Sequence, residues 1–329
     1  MNLADLMAKF STIHALVVGD ICLDRWCYYD PATAEPSRET GIPRVGVVST
    51  SVTPGAGGTV ANNLIALGAG RVSVLGAIGQ DGFGFELEQA LAERKIEYNL
   101  LVASQRIQTF TYTKLISSFT GNEDLPRCDF INTSPLPADV ENQLIANFNA
   151  HFNEFDVILV SDQAETDSGG VVTDLFRDLI ADVAERYPQK VVIADSRARI
   201  ELFRNVVAKP NSEEAAAACH RLFGETDLER LRALIGPHPL LVTQGNRGVL
   251  LVDERGEHLV PCEKIPNPVD ICGAGDSFAA GLALALRAGG DFPSAIRFGN
   301  LVSSVTIMKK GTGAAAPDEI LAKASVRWN

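Results

Sequence analysis

Long apolar runs, cysteine motifs and an excess of positive charge are all missing from this sequence, and each absence removes a class of function. No hydrophobic stretch approaches the roughly 20 residues that cross a bilayer, so no membrane partner is expected. Lys and Arg number 29 against 41 Asp and Glu, a formal net charge of −12. A chain this acidic repels a phosphate backbone, which argues against sequence-independent binding of nucleic acid. The same deficit means that an anionic nucleotide would need local cations or a divalent metal. The 6 cysteines, at 22, 27, 128, 219, 262 and 272, form no C-x-x-C pair and no Cys/His group with zinc spacing. They read as free thiols in a reducing cytoplasm.

What is present is a patterned α/β sequence. Hydrophobic residues make up 46% of the 329 positions, enough for one large α/β domain or two small ones. Leu3, Leu6, Met7 and Phe10 give the start a short amphipathic helix rather than a signal peptide. Strands are predicted at 13–18, 71–77, 156–160, 190–194, 240–243 and 248–252. Helices are predicted at 59–67, 83–94, 171–186, 276–287 and 294–308, with another starting at Asn211. The alternation implies a mostly parallel sheet covered by helices on both faces. Residues 42–52 and 109–117 break the rhythm: they are rich in Val, Ile, Thr and Tyr and lack intervening helices. They predict a small β lid contributed by about 42–53 and 108–118. No repeat, low-complexity tract or linker divides the chain.

The most informative stretch runs from Pro266 to Ser277. Gly273-Ala274-Gly275 precedes a helix, where backbone N–H groups and the helix dipole favour an anion. Asp276 falls in the first turn beside that anion. A carboxylate there is awkward unless it takes a proton from a group attacking a phosphate, which is the logic of phosphoryl transfer. The competing reading is a glycine turn whose Asp merely caps the helix. Gly19-Asp20-Ile21-Cys22-Leu23-Asp24 sets two carboxylates past the end of the first strand, at the sheet edge where α/β proteins bind ligands. They can accept from sugar hydroxyls or serve as turn caps. Gly57-Gly58 permits close approach before a helix, and Asn62 offers both a donor and an acceptor. Asn211 and Glu214 have the spacing of a capping box. Neither 55–60 nor 273–278 completes the dinucleotide fingerprint G-x-G-x-x-G, since Val60 and Phe278 occupy the last place.

Asp270, Gly273, Ala274, Gly275 and Asp276 resemble the D-T-x-G-A-G-D signature of the ribokinase-like (PfkB) carbohydrate kinases, with Ile271 in place of Thr. Gly57-Gly58 with Asn62, Gly79-Gln80-Asp81-Gly82-Phe83-Gly84, Thr243-Gln244-Gly245-Asn246-Arg247-Gly248 and Gly311-Thr312-Gly313-Ala314 resemble further motifs of that family, in the same order, over residues ~13 to ~315. The resemblance implies a single ribokinase-like domain over 1–329, with a β lid. It implies an enzyme that moves a phosphoryl group from ATP, with Mg2+, to a hydroxyl of a sugar or sugar phosphate. Asp276 is then the base, and the N–H groups of Gly273 to Asp276 form the anion hole. Asp20, Asp24, Gly57, Gly58 and Asn62 hold the sugar. Asn211 and Glu214 organise magnesium, while Asn211, Thr243, Gly245, Gly248 and Asn300 line the nucleotide. A monovalent-cation loop is implied too, although Ile271 and Cys272 replace polar or small residues beside it. A homodimer formed through the lids is a further implication, and exposed edge strands favour pairing on physical grounds.

Leu23-Asp24-Arg25-Trp26, Glu35-Pro36-Ser37, Pro43-Arg44-Val45, Thr113-Lys114, Arg127-Cys128-Asp129-Phe130 and Val160-Ser161-Asp162 are similar to the kinase half of heptose-phosphate kinases. A phosphorylated sugar would need cations, for which Arg25, Arg44, Arg106, Lys114 and Arg127 are available. Two departures stand against the subgroup. Gln163-Ala164-Glu165-Thr166 replaces its lysine-glycine pair, and the nucleotidyltransferase half of the fused enzymes does not follow. The alternatives are a nucleoside or vitamin kinase, with Trp26 or Phe110 stacking on a base, and a kinase-like sugar sensor that does not turn over.

Overall fold

The computed structural model describes residues 2–166 and 168–325. The chain opens with α1 (Leu3–Ala8) and β1 (His14–Gly19), then crosses into a second sheet through β2 (Ile21–Tyr29) and β3 (Val47–Ala56). It continues through α2 (Gly57–Ala66), β4 (Arg71–Leu75), β5 (Ala77–Gly79), α3 (Gly82–Glu93), β6 (Val102–Ser104), β7 (Thr111–Ser117) and β8 (Cys128–Phe130). There follow α4 (Ala138–His151), β9 (Val157–Asp162), α5 (Asp174–Arg186), β10 (Val191–Ser196), β11 (Val207–Ala208), α6 (Ser212–Phe223) and α7 (Leu228–Ile235). The last elements are β12 (Leu240–Thr243), β13 (Val249–Asp253), β14 (Gly256–Val260), α8 (Ala274–Arg287), α9 (Phe292–Thr306) and α10 (Pro317–Ser325).

Eight strands form the central sheet in the order β14-β13-β12-β11-β10-β9-β1-β4. The pairs from β12 through β4 are parallel, and β13 and β14 are antiparallel additions at one edge. Strand alternation sends Ala15 and Val17 of β1 into one core and Leu16 and Val18 into the other. Helices α2, α8 and α9 cover the first face and α4, α5, α6 and α7 the second, so the inner strands are apolar on both sides. Among the described residues, no helix is long and apolar enough to cross a membrane.

A separate four-stranded sheet, β3-β2-β7-β8, contains the segments expected to form a lid, but its limits differ from those read off the sequence. Strand β2 was not foreseen. Its alternating Cys22, Asp24, Trp26 and Leu23, Arg25, Cys27 mixes charge with apolar residues and hides the strand pattern. Residues 42–46 lie outside β3. They close a turn in which Arg44 N–H reaches the Glu35 carbonyl at 2.9 Å and Ser37 N–H the Ile42 carbonyl at 2.8 Å. Helix α5 starts at Asp174 rather than near 171 because the Thr173 hydroxyl accepts from Phe176 N–H at 3.2 Å and caps it.

Gly19 makes the crossing between the sheets possible. Its φ is +123°, and a Cβ there would sit 2.2 Å from the Ser161 carbonyl oxygen. The carboxyl ends of β1, β9, β10, β11 and β12 all reach one edge of the central sheet, where this crossover begins.

Candidate functional site

Helix α8 begins at that edge without a side-chain cap. Gly273, at φ +75°, turns the chain into it, a conformation that favours glycine. The backbone N–H groups of Gly275 and Asp276 make no hydrogen bond among the described residues. They are orphan donors at the positive end of a 14-residue helix, a ready cradle for an anion.

Two charged groups from the central sheet, Lys209 and Asp195, converge on this cradle. Lys209, just past β11, is 3% exposed, and its Nζ lies 3.7 Å from where a Cβ on Gly275 would stand. Its partner is the Asp195 carboxylate at the end of β10, 2.8 Å away. Burial works against the ammonium, but Asp195, with Asp276 and Glu214 nearby, holds its pKa above the usual range. Asp276 itself accepts no side-chain hydrogen bond among the described residues. Burial first, then the charges of Asp195 and Asp24, push its pKa up to about 7 against the opposing pull of Lys209 and Arg197. Such a carboxyl group can take a proton near neutral pH, with a cationic lysine and open N–H donors beside it. Sequence reasoning passed over Lys209; its place directly before Pro210-Asn211 was the available signal.

Asp24 enters from β2, in the second sheet. Burial raises its pKa to about 6, opposed by Lys114 and Arg127. Its carboxylate too accepts no hydrogen bond among the described residues. Gly55, on the neighbouring strand β3, leaves room for it: a Cβ there would fall 2.6 Å from Asp24 Oδ1. Lys114 is paired with Glu123 at 3.5 Å, and Arg127 pairs with Asp129 at 2.6 Å while lying 5.1 Å over the Tyr112 ring. Asn62 is half-buried with no side-chain hydrogen bond among the described residues.

Asp20 has another task than the one expected of it. It is 1% exposed, and its oxygens accept from Gln163 N–H at 2.7 Å, Ala164 N–H at 2.8 Å and Val171 N–H at 2.9 Å. It ties down the loop after β9 and faces protein, not the cleft. Gly57 and Gly58 have no room for a side chain, since a Cβ on either would strike Ile21 (2.7 Å) or Pro54 (2.5 Å). All five cations considered for an anionic acceptor carry an acidic partner, Arg25 on Glu86, Arg44 on Glu35 and Arg106 on Asp139 among them, and what sets Lys114 and Arg127 apart is that their charges act on Asp24.

On the other side of the cradle, the Asn211 side chain accepts from Glu213 and Glu214 N–H at 2.9 Å each, and Glu214 accepts from Asn211 N–H at 2.8 Å. The capping box is therefore real. Thr243 N–H bonds the Pro210 carbonyl at 3.0 Å, which brings the Thr243–Gly248 turn against Asn211. Gly248, at φ +103°, could carry no side chain, because a Cβ would lie 2.3 Å from the Val260 carbonyl oxygen. Asn300, on α9, buries its amide nitrogen without a partner among the described residues.

Among the described residues no three His, Cys, Asp or Glu side chains gather as a metal cage. The residues do fit magnesium held mostly by phosphate and water, which needs few protein oxygens. Glu214 keeps one oxygen outside the capping box, and burial with the nearby Asp195 charge raises its pKa, an environment a divalent cation would relieve. A hollow of about 500 Å³ lies elsewhere, between Asp81, Phe83, Glu86, Gln108 and Phe130, and includes none of the expected site residues.

The mostly parallel sheet covered by helices on both faces is a ribokinase-like fold. The chain belongs to the pfkB family of carbohydrate kinases, whose profile matches residues 14–319. Members of that family transfer phosphate from ATP to hydroxyl groups. Proteins named bifunctional protein HldE are similar to it: 31% identical over 97% of this chain in a Bradyrhizobium species, and 30% over 97% in Geobacter sulfurreducens. The chain spans 65% and 64% of the length of those two relatives. Among solved structures, a ribokinase from Thermotoga maritima aligns with a TM-score of 0.70 at 21% identity, over 95% of this chain and 99% of its own. Phosphofructokinase-2 of Escherichia coli in complex with potassium aligns with a TM-score of 0.73 at 18% identity, over 96% and 100%.

Proposed function

We propose that this chain transfers the γ-phosphoryl group of magnesium-bound ATP to a hydroxyl of a sugar that carries an anionic group, as a heptose phosphate does. The observation that supports it most is the juxtaposition of Asp276, with a pKa pushed up to about 7, and the open N–H groups of α8 beside Lys209. Asp276 removes the proton from the attacking hydroxyl. Gly275 and Asp276 N–H, with Gly273 and Ala274 shaping the turn, stabilise charge on the transferred group, and Lys209 adds a fixed cation. Bound magnesium-ATP supplies the phosphoryl group and neutralises its charge. Asn211 and Glu214 face the metal, and Thr243, Gly245, Gly248 and Asn300 face the nucleotide. Asp24 and Asn62 orient the acceptor, with Lys114 and Arg127 nearest its anionic substituent. The β3-β2-β7-β8 sheet acts as a lid that excludes water.

A nucleoside kinase that stacks its base on Phe110 is less favoured. Phe110 is 5% exposed and packed with Cys22 and Ala164, so it has no free face for a base. A non-catalytic sensor would have no use for an open cradle beside an unbonded Asp276. The 6 free cysteines support a reducing cytoplasm. Val47 and Val48, exposed on edge strand β3, support pairing of two lids in a homodimer. The test is magnesium-dependent ADP release with free sugars, sugar phosphates and nucleosides, run with Asp276→Asn in parallel. Turnover with one sugar class that the variant loses by about 10²-fold or more upholds the reading. ATP binding without turnover on any acceptor would leave the sensor.

A further inference from the structure

The family resemblance and the potassium complex of phosphofructokinase-2 point to a monovalent cation beside the loop that closes the anion cradle. The residues present here do not fit one. At positions 271 and 272 stand Ile and Cys, which bring no side-chain oxygen, and Ile271 is 70% exposed. Both carboxylate oxygens of Asp270 are engaged by backbone: Oδ1 accepts from Cys272 N–H at 2.9 Å and Oδ2 from Gly311 N–H at 3.0 Å. The Ile307 carbonyl takes two N–H groups, Val269 at 2.9 Å and Asp270 at 3.1 Å.

A cation is nevertheless present in this loop, on a side chain. Lys309 Nζ donates to the Ala314 carbonyl at 2.6 Å and to Glu319 Oε2 at 2.7 Å. Glu319 Oε2 also accepts from Ala316 N–H at 2.8 Å, which joins the ammonium to the start of α10. The loop held in this way, 311–314, is the junction of the site. Thr312 Cγ2 lies 3.4 Å from where a Cβ on Gly273 would stand, and its hydroxyl is 3.5 Å from that of Thr53 on β3. Trp26 of β2 lies 3.7 Å from the corresponding position at Gly311. Cradle and lid thus meet on a loop that is pinned from one end by Asp270 and from the other by Lys309.

We propose that Lys309 is a built-in cation: a positioning residue that, with Asp270, holds the 311–314 loop against the anion cradle, so that this chain needs no added monovalent cation. The part concerning nucleotide rests on the kinase reading; the part concerning the loop does not. The experiment compares wild type and Lys309→Met in potassium chloride and in choline chloride at equal ionic strength, reading the melting midpoint and the Kd for magnesium-ADP. The wild type is expected to melt within about 1 °C, and to bind within about twofold, in the two salts. Lys309→Met is expected to melt lower and bind about tenfold more weakly in choline, with potassium restoring at least half of each loss. A wild type stabilised by several degrees, or binding more than about fivefold tighter, in potassium overturns the proposal. So does a variant that matches wild type in choline, or one whose loss potassium does not restore. If magnesium-ADP binds to neither protein, the kinase reading falls while the melting comparison still decides the role of Lys309.

Discussion

Two places in this molecule hold acidic side chains whose pKa burial raises, and they use them in opposite ways. At the start of the crossover, Asp20 sits at about 6 with three backbone N–H groups bonded to its oxygens. In the cleft between the sheets, Asp24 sits at about 6 and Asp276 at about 7, and neither carboxylate accepts a hydrogen bond among the described residues. A raised pKa alone does not separate structure from function; the bonding of the charged form does. Asp20 is a knot that holds the loop after β9. Asp24 and Asp276 carry the cost of burial without the return of a bond, which is how groups kept for a ligand behave.

The widest gap between the two places should appear on removing each carboxylate. Asp276→Asn is expected to cut turnover by about 10²-fold or more while the melting midpoint holds or rises. Asp20→Ala is expected to do the reverse, costing about 2–4 kcal/mol in denaturant unfolding because three buried N–H groups lose their acceptor. If Asp20→Ala melts like wild type, the knot is not structural and the comparison collapses.

A second effect is kinetic. Asp276 acts as a base only when ionised, so kcat/KM with the preferred acceptor should fall as pH drops, with a limb at about 7. A profile flat from pH 8 to 5 would remove Asp276 from the proton transfer. Lys114→Met should raise the acceptor KM by about tenfold and leave kcat within about threefold, the pattern of a group that binds substrate and transition state alike.

The sequence displayed the cradle but not this division of labour. Gly273 to Asp276 were readable because a glycine turn, a helix start and an acid are adjacent in the chain and need no partner from elsewhere. Asp20 and Asp24 were indistinguishable there: each is an acid near the end of the first strand. What divides them is that Gln163, Ala164 and Val171 close on Asp20 from 143 to 151 positions away. Lys209 was hidden for the same reason, since its meaning comes from Asp195 and Gly275, which only the sheet order places beside it. Strand β2 escaped because Asp24 and Arg25 stand side by side where a regular strand would alternate apolar and polar residues.

The smallest expected effect is also the sharpest on sign. The folded-state pKa of Asp24, about 6, lies above its unfolded value of 3.8, so the folded chain binds more protons than the unfolded chain between those limits. Its contribution to stability is therefore fully present below pH ~4 and lost as pH rises through 6. Asp24→Asn removes that loss. A shift of about two units, discounted because Lys114 and Arg127 forfeit a partner and because the group is partly exposed, leaves about 1 kcal/mol. The variant should unfold at higher denaturant than wild type at pH 8, and the two curves should converge toward pH 4. Asp20→Asn puts an amide N–H among donors that need an acceptor, so it should destabilise at both pH values. Should both variants stabilise at pH 8, burial alone would govern the two acids, and the backbone bonds to Asp20 would not set it apart.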